Sequence, residues 1–136
     1  MDDIMNLPPE RLGEGTRVTV GIFPTAEDLY WDIAWRMLRE LQRARDESRR
    51  AVFIVPVGPV GQYERLARLC NDLRLSLAYG VFFGMDEYLS DELQWISEDH
   101  PLSFRAHLRR EMFTFLDPVL RPPEDSLIFP DPGDPP

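Results

Sequence analysis

The chain holds 136 residues, the size of one domain and long enough to bury about two-thirds of its unfolded surface. Its formal net charge is −9, and all 15 cations are arginine. The acidic balance excludes a general nucleic-acid binder, and the absence of lysine excludes Schiff-base chemistry and a P-loop lysine on this chain.

The single cysteine, Cys70, excludes a disulfide within the chain and a multi-cysteine zinc site. No apolar run reaches the length of a membrane span. Met1 to Asn6 is acidic and lacks the cationic start and apolar block of a signal peptide, so the expected compartment is the cytoplasm.

Residues 1–16 carry Pro8, Pro9, Gly13 and Gly15 with little periodicity and read as an irregular arm. Arg17 to Phe23 alternates, with Val18, Val20 and Ile22 on one side, which predicts a first strand. Thr25 is a good N-cap with Asp28 placed to return the bond, and a long helix is predicted to about Glu47. Its stripe of Leu29, Ile33, Met37 and Leu41 is widened by Trp31 and Trp35, so burial on two sides is expected.

Ala51 to Val57 is a continuous apolar run, the pattern of a parallel strand. Gly58-Pro59-Val60-Gly61 makes a loop into a helix whose inward set is Tyr63, Leu66, Ala67, Cys70 and Leu73. Leu77 to Phe83 reads as another buried strand, and residues 89–100 as a polar loop. Pro101 suits the first turn of a further helix to about Leu116, with Leu108, Met112, Phe115 and Leu116 inward. Leu127-Ile128-Phe129 predicts a short last strand before the proline-rich residues 130–136.

The order β-α-β-α-β-α-β predicts an α/β protein with a Rossmann-like parallel sheet and helices on both faces, a three-layer α/β/α arrangement. Residues 17–129 are its expected extent. Ligands of such sheets bind beyond the carboxyl ends of the strands, so the candidate chemistry lies at Val57–Gly61 and Gly84–Tyr88.

Asp86 and Glu87 leave a buried strand at that edge. Neighbours on an extended chain point opposite ways, so one faces the crevice and the other the scaffold. The one in the crevice is either a general base or an exposed turn acid. The Gly58–Gly61 loop enters a helix N-terminus, but Pro59 removes a donor and the loop has no hydroxyl. His100, His107 and Glu111 lack a recognised metal-ligand spacing, so no metal is expected. Cys70 reads as core. Arg105 and Arg109, one helical turn apart, form either a phosphate clamp or a solvated face.

Together these segments resemble the glucosamine-6-phosphate deaminase/isomerase family. Met85-Asp86-Glu87-Tyr88, then Glu98-Asp99-His100-Pro101-Leu102-Ser103-Phe104, resembles its N-M-D-E-Y and E-H-P-x-S-Y stretches. Phe113-Thr114-Phe115-Leu116-Asp117 and Pro122-Pro123-Glu124-Asp125-Ser126-Leu127-Ile128 follow its order, as do Thr25-Ala26-Glu27-Asp28 and the span from Pro59 to Tyr63. The likeness covers about residues 17–134 and the first half of the family's domain.

The resemblance implies a Rossmann-like fold, conversion of glucosamine 6-phosphate to fructose 6-phosphate and ammonia, and no cofactor for the proton transfer. Carried over by residue, Asp86 is the catalytic base, and Gly58, Gly61, Glu87 and Tyr88 are substrate-binding. The departures are specific. Val55-Pro56-Val57-Gly58-Pro59 stands where the family has T-G-G-T-P or T-G-S-T-P, and Gly84 replaces the Asn of N-M-D-E-Y. The D-G-H-I-A-F-N-E-P stretch, with the ring-opening histidine, has no counterpart. Three readings follow: half of a phosphosugar enzyme, incomplete or inactive by itself and either fragmentary or completed by another chain; a non-catalytic module that binds a sugar phosphate or a protein; or a piece with structural relevance alone. The apolar girth of the first helix further predicts a homo-oligomer or a complementing chain.

Overall fold

The computed structural model describes residues 7–133. Expectations that fall on residues 1–6 and 134–136 lie outside it. Three helices and three strands carry the fold: α1 (Ala26–Asp46), β1 (Ala51–Val55), α2 (Gly61–Leu73), β2 (Gly80–Gly84), α3 (Phe104–Phe113) and β3 (Leu127–Ile128). All strand pairs are parallel, in the order β1-β2-β3.

The helix signals act where the sequence places them. The Thr25 hydroxyl accepts from the Asp28 amide at 3.1 Å and donates to the Asp28 carboxylate at 2.7 Å, closing the start of α1. The stripe of α1 buries Ala34, Met37, Leu38, Leu41 and Ala44, while Trp35 stays 47% exposed. The helix is therefore covered on one side, not two. Helix α2 ends where Arg74 takes a left-handed conformation (φ 50°). The Leu75 amide then bonds back to the Cys70 carbonyl, and Leu75, not Leu73, enters the core. The start of α3 differs from expectation. Pro101 lies in a preceding turn, and Ser103 caps the helix by accepting from the Ala106 amide at 3.3 Å. Leu108, Met112 and Leu116 are buried as the periodicity requires, but Phe115 is exposed because the helix stops at Phe113.

The sheet shows strict alternation. Ala51, Phe53 and Val55 of β1, Phe82 of β2 and Leu127 of β3 face the helices. Phe53 and Phe82 stack there at 5.3 Å. Val52, Ile54, Phe83 and Ile128 face the other way and are exposed. The parallel α/β expectation stands. Among the described residues, however, the helices fill one of the two layers anticipated. The physical reason is the strand order: successive right-handed crossovers that step in one direction lay every helix on one face.

The strand predicted at Arg17–Phe23 does not form. The segment has no regular secondary structure, with Val18 67%, Val20 41% and Ile22 57% exposed, and it enters no ladder among the described residues. Alternation specifies a strand only when a neighbouring strand takes its backbone groups. No helix of the described residues is long and apolar enough to cross a membrane.

Candidate active site

Three loops leave the carboxyl ends of the strands: Pro56–Val60 after β1, Met85–Leu89 after β2, and Phe129–Pro132 after β3. The second and third enclose an open cleft of about 300 Å³ lined by Met85, Asp86, Glu87, Leu89, Pro130, Asp131 and Pro132.

The two adjacent acids part as the backbone geometry requires. Asp86 is exposed at the cleft, whereas the Glu87 side chain is only 1% exposed. One Glu87 oxygen accepts from the amides of Tyr88 (2.8 Å) and Phe104 (2.9 Å). The other accepts from the Arg105 amide (2.9 Å), the Arg105 Nε (3.0 Å) and the Ser103 hydroxyl (3.2 Å). Glu87 thus caps the N-terminus of α3, where amides are unsatisfied and the helix dipole favours an anion. Burial alone would raise its pKa. The amides of Arg105, Phe104 and Tyr88 and the Arg105 guanidinium outweigh that and hold it below the ordinary carboxylate value.

Arg105 is the hub of the wall behind the cleft. Besides Glu87 it donates to the Ile96 carbonyl at 2.5 Å, and its guanidinium lies 4.3 Å from the Trp95 ring centre. Trp95 Nε1 donates to the Pro130 carbonyl at 2.7 Å, tying residues 88–96 to the chain beyond β3. A bridge between Leu89 and Trp95 closes that excursion. Arg105 and Arg109 both also approach Glu98, at 3.7 and 3.5 Å. Arg105 is thereby committed to groups inside the protein, whereas Arg109 is about a third exposed and its Nε has no hydrogen-bond partner among the described residues. Tyr88 is 48% exposed and meets Phe104 edge-on at 4.9 Å.

The loop after β1 is tied to the first turn of α2. Tyr63 Oη donates to the Pro56 carbonyl and Gln62 Nε2 to the Pro59 carbonyl, each at 2.5 Å. Gly58 is exposed with open space around it. Gly61 has a packing role, because a Cβ there would stand 2.3 Å from the Tyr30 ring of α1. Gly84 is comparable: a Cβ would lie 2.3 Å from the Phe129 ring, which explains why no larger residue stands before Met85.

The remaining candidates lie apart. His100 is exposed and accepts from the Leu102 amide at 3.2 Å, while His107 contacts Arg110 at 2.7 Å. Among the described residues no group of three or more His, Cys, Asp or Glu side chains gathers to hold a metal. Cys70 is fully buried, and burial pushes its thiol up to about 12. The sequence reading missed the Arg105–Trp95–Pro130 linkage. Nothing local signals a contact across 35 residues.

No protein-family model matches the chain. It is 30% identical over 102 residues to the glucosamine-6-phosphate deaminase of Borrelia garinii subsp. bavariensis, a match covering 71% of this chain and 35% of that protein. It is 29% identical over 65 residues to the Porphyromonas gingivalis enzyme of the same name, covering 46% of this chain and 23% of that one. The chain is similar to the stretch of glucosamine-6-phosphate deaminase that these matches cover. It spans about a third or less of the length of these curated relatives. A solved monomeric glucosamine-6-phosphate deaminase of the NagB superfamily superposes with a TM-score of 0.69 at 22% identity, over 86% of this chain and 44% of that one. That likeness carries the Rossmann-like fold. Within this fold, Asp86 and Glu87 lie just beyond the carboxyl end of the middle strand.

Proposed function

We propose that the cleft beyond β2 binds an amino-sugar phosphate and that Asp86 is the general base of an aldose–ketose isomerisation with release of ammonia. The observation that carries this reading is the division of labour at Asp86-Glu87. Glu87 is consumed by α3 and rigidly bonded, and the next residue back presents an exposed carboxylate at the cleft. The chemistry asks for such a group. In the open-chain amino sugar, a base takes the proton from C2 and returns it to C1, and water then releases ammonia from the resulting imine. No hydride, metal or cofactor enters that proton bookkeeping. Gly58, Gly61 and Tyr88 belong to the substrate side of this proposal by resemblance alone.

Turnover needs phosphate and ring-opening groups beyond those placed at this cleft, because one base without an acid or an anion grip gives little acceleration. We therefore expect the isolated chain to be silent and to act once the rest of the site is supplied. Ammonia release from glucosamine 6-phosphate, measured with a coupled assay, tests this. The expected result is release by the completed site and a 10²–10⁴-fold loss in Asp86→Asn. Release unaffected by that substitution would refute the assignment.

A second reading, a non-catalytic sugar-phosphate-binding or protein-interaction module of the same fold, is favoured by the loop after β1. That loop has no hydroxyl, and two side chains bind its own carbonyls. Calorimetric binding of glucosamine 6-phosphate without turnover in any completed form would select it.

A further inference from the structure

The two walls of the cleft beyond β2 are supported unequally. Met85–Leu89 is held from behind, since the Met85 amide donates to the Val55 carbonyl at 3.1 Å and Glu87 is bonded into the start of α3. The opposite wall, Pro130–Pro132, follows β3 and is poor in donors. Pro130 and Pro132 have no N–H, so a ladder cannot continue through them. Asp131 accepts from the Gly133 amide at 2.8 Å, a bond within its own turn. Strand pairing ends at Phe83 and Ile128, and the two chains part there.

Among the described residues one hydrogen bond ties this second wall to the first side of the cleft. Trp95 Nε1 donates to the Pro130 carbonyl at 2.7 Å. An indole N–H is a donor only, and it meets the polar backbone group that a proline still offers. The ring is itself held on two sides. The bridge to Leu89 ties its backbone to the first wall, and the Arg105 guanidinium lies 4.3 Å from its centre. Arg105, only 12% exposed, is fixed in turn by Glu87 and the Ile96 carbonyl. The contacts therefore run from Glu87 through Arg105 and Trp95 to Pro130. They start at the neighbour of Asp86 and end at the neighbour of Asp131, and both of those acids are exposed in the cleft.

We propose that Trp95 is the positioning residue of this cleft: its bond to the Pro130 carbonyl fixes the separation of the two walls and the place of Asp131 relative to Asp86. The physical consequence is preorganisation. A wall already fixed in the free protein need not be ordered when a ligand enters, so less of the interaction is lost to entropy. Without the indole donor, residues 130–132 keep no tie across the cleft, and a ligand must order them as it binds. The effect on affinity rests on the amino-sugar phosphate reading of this cleft, whereas the separation of its walls does not.

The test has one arm for each. In the first, spin labels are attached through Met85→Cys and Asp131→Cys, both exposed positions, while the buried Cys70 stays unlabelled in native protein. Dipolar broadening of the spectrum is expected in this parent, and its loss when Trp95→Phe is added. Leu41→Val, a core change beside Gly80 at the far end of β2, should lower the unfolding midpoint and leave the broadening intact. In the second arm, calorimetry with glucosamine 6-phosphate on the unlabelled chain should show Kd raised about tenfold by Trp95→Phe, the scale of one lost hydrogen bond, and unchanged by Leu41→Val. A parent without broadening, broadening that survives Trp95→Phe, equal loss in Leu41→Val, or an unchanged Kd in Trp95→Phe would each overturn the proposal. Broadening lost as expected in a protein that takes up no glucosamine 6-phosphate would support the role of Trp95 and overturn the amino-sugar reading instead.

Discussion

The loops after β1 and β2 occupy equivalent positions at the carboxyl edge of the sheet and are built on opposite principles. In Pro56–Val60 the nearby polar side chains, Gln62 and Tyr63, turn back onto the loop's own carbonyls. In Met85–Leu89 a buried acid satisfies the helix behind it, and its neighbour stands at the cleft. A site at a sheet edge needs both a rigid backbone and an uncommitted functional group. The β2 loop obtains rigidity from Glu87 and so leaves Asp86 exposed. The β1 loop is held through its carbonyls by Gln62 and Tyr63 of α2, and its own residues carry no polar side chain to offer.

Glu87→Gln gives the sharpest break in this contrast. It removes the nearer and more buried of the two carboxylates that Arg105 meets and should cost about 3 kcal/mol, read as a lower midpoint in urea. The same contact sets an acid dependence. The folded pKa of Glu87 lies below its unfolded value, so its contribution is complete above about pH 4.5 and is lost as pH falls through the folded value. Wild type should therefore lose stability on acidification more steeply than Glu87→Gln.

Gly61→Ala should cost about 2 kcal/mol, because the new methyl meets the Tyr30 ring. Trp95→Phe removes the bond to the Pro130 carbonyl and should cost about 1 kcal/mol, with faster amide exchange in residues 88–96 but not around Gly58. Gly58→Ala faces open space and should change the midpoint by less than about 0.5 kcal/mol. A large effect at Gly58 would show that the β1 loop depends on that position in a way its surroundings do not explain. Cys70 offers an independent check on the core. Buried, with its thiol raised to about 12, it should resist alkylation in native protein and react on unfolding.

Much of this was legible in the chain itself. Thr25 and Asp28 announced the start of α1, the apolar run from Ala51 marked β1, and the adjacency of Asp86 and Glu87 implied opposed roles. Each is a local consequence of backbone period or capping chemistry, which needs no knowledge of the rest of the fold. Arg17–Phe23 misled because its alternation is equally local, whereas a strand exists only with a neighbour.

Tertiary structure alone decided the rest. Which acid turned inward depended on where α3 begins, and Ser103, not Pro101, set that start. Whether Arg105 could hold a phosphate depended on Trp95, Ile96 and Glu98 converging on it. Whether the apolar strands were covered on both faces depended on the direction in which the crossovers step. Hydrophobic pattern records that a residue prefers burial. The path of the chain determines what, if anything, buries it.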